Sequence, residues 1–149
     1  MALSHTIVIG YGNFHRQDDG VGHYIVQEVE RQAGESIDTV CCHQLGIEQS
    51  ETIKDYDIVI FADAYVGHRE EDLKVASLEA TFTQSAFTHH LKPDSLLALT
   101  QNIFQKTPKA YIVSVKGYDF DFGTDLSTRT QKWADIAVKK ILELSGISK

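Results

Sequence analysis

The hydrophobic positions change their period from one segment to the next, and the changes predict alternating strands and helices. HTIVIG (residues 5–10) and DIVIFADAYV (57–66) are continuous apolar runs, the pattern of strands covered on both faces. Between about Gly20 and Ala33, Val21, Ile25 and Val29 recur every four residues, which predicts a helix with one buried stripe. IDTVCC (37–42) reads as a second strand and LKVASLEA (73–80), which alternates, as a less buried one. Pro93 suits the first turn of a helix, where its missing N–H costs nothing. Leu96, Leu97, Thr100, Ile103 and Phe104 follow it at helical spacing. KAYIVSVKG (109–117) is a further strand. The last helix opens with Thr128-x-x-Gln131, a capping-box pattern, and should bury Trp133, Ile136 or Ala137, Ile141 and Leu144. This order predicts an α/β protein: a three-layer α/β/α sandwich around a mostly parallel or mixed central sheet, as one domain over residues 1–149. In such sheets ligands bind at the carboxyl ends of the strands.

Composition narrows the functions. A length of 149 residues suits a single core without staples. The net charge of −7 argues against nucleic acid, which needs a basic face. No apolar run approaches the ~20 residues of a membrane span, and the N-terminus lacks a basic, cleavable leader pattern. The two cysteines, Cys41 and Cys42, are adjacent and read as reduced thiols of a cytoplasmic protein, packed as small apolar residues on a buried strand.

The candidate chemistry begins in the turn after the first strand, GYGNFHRQDDGVG. Gly10 and Gly12 fit a dinucleotide fingerprint, but His15 stands where the third glycine is required. A phosphate loop would end in Gly-Lys-Ser/Thr, and Asp18-Asp19-Gly20 stands there instead. Neighbouring carboxylates repel each other unless a proton or cation intervenes. One acid can cap the following helix, so Asp18 reads as the cap and Asp19 as the available ligand, with Asp18 as its alternate. Asp63 interrupts the apolar run of the central strand, where a lone carboxylate is costly unless paired or bound to metal. His89 and His90 precede the Pro93 helix. Two carboxylates and one imidazole at three loop ends would form a mixed oxygen and nitrogen metal site with open positions. His5, His15, His23, His43 and His68 show no ligand spacing. The metallopeptidase motif HExxH and the nucleophile elbow GxSxG are absent.

In this order the motifs resemble the hydrogenase maturation protease family. Gly10, Gly12, Asn13, Asp18, Asp19, Gly20 and Gly22 match its opening turn. Asp63-Ala64 matches the end of its central strand, and Thr88-His89-His90-Leu91 with Leu96, Leu97 and Leu99 its histidine step. Gly117 to Gly123, then Leu126-Ser127, resemble its segment before the final helix. The resemblance implies a phosphorylase/hydrolase-like sandwich and a cytoplasmic, nickel-dependent endopeptidase. Its partner would be the precursor of a [NiFe] hydrogenase large subunit, from which it removes a C-terminal extension. Nickel would arrive with the substrate, and another divalent metal could substitute. Asp19, Asp63 and His89 would contact the metal, with His90 as alternate to His89, and Asp19 and Asp63 would be the catalytic pair. The glycines would let the backbone turn sharply and leave room for a docking peptide. The chain departs from the family in having His43-Gln-Leu-Gly46 for a glycine- and threonine-rich loop, and Asp rather than Glu at position 19. Competing readings are a non-catalytic relative that senses metal or binds the precursor, and a small metallopeptidase acting on free peptides. A monomer is expected.

Overall fold

The structure, a computed structural model, describes residues 5–67, 71–81 and 91–147. Strand β1 (Thr6–Tyr11) leads through a 3₁₀ turn (Gln17–Gly20) into helix α1 (Val21–Ala33). Next come β2 (Asp38–Cys42), α2 (Glu48–Ile53), β3 (Ile58–Tyr65) and β4 (Leu73–Leu78). Helix α3 (Pro93–Phe104), β5 (Lys109–Lys116) and α4 (Thr128–Leu144) complete the order. The sheet runs β2-β1-β3-β5-β4. All pairings are parallel except β4 against β5, so the expected mostly parallel sandwich is found, with one antiparallel edge.

Alternation along the strands supplies both faces of the sheet. Val8, Ile60, Val113 and Val115 pack with Val21, Ile25 and Val29 of α1 and with Ala137, Val138 and Ile141 of α4. Ile7, Ile9, Val59 and Phe61 point the other way, onto Ile53 of α2 and Leu96 and Leu97 of α3. Each fully buried Ile, Leu or Phe contributes roughly 1.5–3 kcal/mol relative to exposure. These two cores fix the strand ends that carry the polar residues.

Some expectations change. Helix α2 is too short, and has too few apolar residues, to leave a periodic signal. Strand β2 lies at the sheet edge, so Cys41 is exposed and Cys42 half-buried rather than packed inside. Burial, with the Glu30 charge on Cys41 and the Cys41 and Glu48 charges on Cys42, raises both thiol pKa values. The cap of α4 is Ser127, one residue before the expected Thr128. Its side chain accepts from the Thr130 N–H at 3.3 Å. In α4, Ala137 and Ile141 are buried as expected, while Trp133 and Leu144 only border the core.

Candidate functional site

The chain leaves β1 toward β2 on one side and returns to β3 on the other. The carboxyl ends of β1 and β3 are therefore the switch point where doubly wound sheets bind ligands. Asp63 lies there. The parallel register pairs Gly10 with Ala62 and Asp63 with Ser114. Tyr11, Asp63 and Ser114 thus stand at one level across three adjacent strands, and their side chains share a face. The Tyr11 hydroxyl donates to Asp63 Oδ2 at 2.8 Å and Ser114 Oγ donates to Oδ1 at 2.7 Å. Burial, reinforced by the Asp63 carboxylate, pushes the Tyr11 phenol far above its ordinary pKa, so it remains a proton donor.

Asp18 is fully buried. Its carboxylate accepts from the backbone N–H groups of Tyr118, Asp119 and Ser127 at 2.7–3.0 Å, and from the hydroxyls of Ser127 and Thr130 at 2.7 and 2.9 Å. Burial works to raise its pKa, but the hydrogen bonds from Asp119, Tyr118 and Ser127 prevail and hold it below the usual value. Asp18 is therefore not the expected helix cap but an anchor for the loop before α4 and for the Ser127 that caps that helix. The helix that follows Asp18 in the chain, α1, begins at Gly20 without a side-chain cap bond.

Asp19 points elsewhere. Its Oδ2 accepts from the Asn13 N–H at 2.8 Å, and among the described residues its other oxygen has no hydrogen bond. Glycine is required around it by close packing. A Cβ on Gly22 would lie 2.6 Å from the Ala62 carbonyl oxygen, and one on Gly10 would lie 2.2 Å from that of Gly22. These two glycines let α1 press onto β1 and β3, so backbone fills the room expected for a docking peptide. Gly12 has φ +140°, and its N–H donates to the carbonyls of Cys42 and His43, tying the ends of β1 and β2 together.

Two cavities open on either side of Tyr11. One, of about 220 Å³, is lined by Asp19, Asn13, His43, Gln44, Leu45 and Leu91 with Tyr11 and Gly12. The other, of about 400 Å³, is lined by Asp63, Leu78, Leu91, Lys92, Pro93, Asp94 and Ile112 with Tyr11. The two expected carboxylates thus face neighbouring cavities that share Tyr11 and Leu91. His89 and His90 lie outside the described residues. Among the described residues, no group of three or more His, Cys, Asp or Glu side chains could hold a metal ion. Tyr11 and Ser114 were not singled out from the sequence, and His43 only as a histidine without ligand spacing in a loop that departs from the family pattern. The signal for the first two is register, which a single strand does not reveal, and for His43 its place just past β2, beside the β1 turn.

The arrangement defines a class: a doubly wound α/β sandwich with carboxylates at its switch point, and its fold is that of the hydrogenase maturation endopeptidases. The chain is similar to the hydrogenase maturating endopeptidase HybD from E. coli, at 18% identity over 97% of this chain and 95% of that one, with a TM-score of 0.73. It is similar also to the [NiFe] hydrogenase maturation protease HycI from Thermococcus kodakarensis, at 17% identity, 97% and 94% coverage and a TM-score of 0.75. For the hydrogenase 2 maturation peptidase of a Thaumarchaeota archaeon the values are 20%, 97% and 99%, and 0.71. No protein-family model and no curated protein matches the chain. No described helix is long and apolar enough to cross a membrane.

Proposed function

We propose that the protein is a cytoplasmic endopeptidase of hydrogenase maturation, which removes the C-terminal extension of a [NiFe] hydrogenase large-subunit precursor after nickel insertion. The observation that carries this reading is the position of Asp19 and Asp63 at the switch point of a fold shared with maturation proteases, each facing a cavity large enough for peptide side chains. Nickel belongs to the substrate in this account. The chemistry of the donor set fits it: among the described residues one carboxylate oxygen of Asp19 has no hydrogen bond, and Asp63 is oriented by donors on both oxygens. His89 would complete a carboxylate and imidazole set suited to a borderline divalent ion. A bound divalent ion supplies polarisation of the scissile carbonyl and activation of water. Within the chain, Asp19 is the better placed general base, because its oxygen without a hydrogen bond among the described residues can accept a proton from water. Tyr11 and Ser114 hold Asp63, and Asp18 keeps the turn that presents Asp19.

The test is to incubate the protein with nickel-loaded and nickel-free precursor and weigh the products by mass spectrometry. Release of a C-terminal peptide from the loaded precursor alone supports the reading. Binding without release would favour a non-catalytic partner of the precursor, and cleavage of free peptides alone would favour a general metallopeptidase.

A further inference from the structure

We propose that Tyr11 is a positioning residue of the site: its hydroxyl fixes the orientation of the Asp63 carboxylate toward the cleft, and its ring is the wall that divides the cleft in two. The inference rests on the endopeptidase reading and adds a residue to it. Three observations carry it. Tyr11 is the last residue of β1 and stands level with Asp63 on β3 and Ser114 on β5. The strands on both sides of β3 therefore each send one hydroxyl to one carboxylate oxygen, Tyr11 to Oδ2 at 2.8 Å and Ser114 to Oδ1 at 2.7 Å. Tyr11 also lines both the cavity that holds Asp19 and the cavity that holds Asp63, so any ligand reaching both acids crosses its ring. A carboxylate free to rotate about its terminal torsion samples a broad range. Donors on both oxygens remove that freedom, and outer partners of this kind typically alter affinity or activity by roughly 10–100-fold when lost.

The discriminating variant is Tyr11→Phe, which keeps the dividing ring and deletes only the donor. It should melt as a folded protein. With nickel-loaded precursor, kcat should fall roughly 10–100-fold while KM stays within about twofold, since the peptide still meets the same wall. Incorporating 4-aminophenylalanine at position 11 restores a donor and should recover most of the loss. In a crystal structure of Tyr11→Phe the Asp63 carboxylate should be turned from its present orientation. An unchanged kcat, or an Asp63 carboxylate that keeps its orientation without the hydroxyl, overturns the proposal. If the wild-type protein cleaves no precursor, the endopeptidase reading fails, and the orientation of Asp63 in the variant still decides the role of Tyr11.

Discussion

Within one turn and among the described residues, Asp18 accepts five hydrogen bonds from the loop after β5 and the start of α4, while its neighbour Asp19 accepts one and lines a cavity. The two carboxylates are chemically identical and differ only in what surrounds them. A carboxylate offers about four lone-pair sites. Where donors from a distant element saturate them, the charge becomes a fixture that ties a loop down. Where one donor orients the group and the rest is left over, the charge can meet a cation or take a proton. Asp63 lies between these limits, held by Tyr11 and Ser114 yet lining a cavity.

The comparison is broken most severely by exchanging the acids one at a time. Asp63→Asn should lower cleavage of nickel-loaded precursor by about 10²–10⁴-fold, the range for a lost acid–base or electrostatic group, and leave the melting temperature within a few degrees. Asp18→Ala should act the other way, on stability. It strands buried N–H and hydroxyl donors and should cost about 3 kcal/mol or more in a urea titration. Gly22→Ala probes how closely the turn is packed. Its Cβ would meet the Ala62 carbonyl oxygen at 2.6 Å, so α1 must shift, and a loss of about 2 kcal/mol is expected on the same titration.

A finer distinction comes from acid. The folded-state pKa of Asp18 lies below its ordinary value of 3.8, so in that window the unfolded chain binds more protons and stability rises with pH. The contribution of Asp18 is complete above its unfolded value and is lost as pH falls through its folded value. Asp18→Asn should therefore show a flatter dependence of unfolding free energy on pH below about pH 4 than the wild type, measured by denaturant titration. Thr128→Ala should have the smallest effect, under about 0.5 kcal/mol, because Ser127 is the cap. Ser127→Ala should cost about 1–2 kcal/mol, since it loses both the Thr130 N–H and a donor to Asp18.

The parts of the molecule that were legible in the sequence are those with local causes. Val21, Ile25 and Val29 announce the buried face of α1 by spacing alone, and all three are fully buried. Asp63 announces itself by breaking an apolar run. Asp18 was recognisable as the less available of the two acids, but the loop it anchors was not, because that loop lies about a hundred residues away. Tyr11 and Ser114 were hidden for the same reason: strand pairing is a long-range choice, and neither residue is unusual in its own segment. The cysteines misled because an apolar run does not say whether its strand is central or at the edge. Helix α2 carries too few apolar residues, over too short a span, to leave a period.

The claim that Asp19 does chemistry while Asp18 does architecture is tested most directly by one paired assay. Nickel-loaded precursor is incubated with Asp19→Asn and with Asp18→Asn, each at a temperature where circular dichroism shows it folded, and the released peptide is quantified by intact mass. The account predicts no peptide from an Asp19→Asn protein as stable as the wild type, and peptide from an Asp18→Asn protein that melts well below it. Peptide released by Asp19→Asn, or lost with Asp18→Asn while its fold and melting temperature are unchanged, would contradict it.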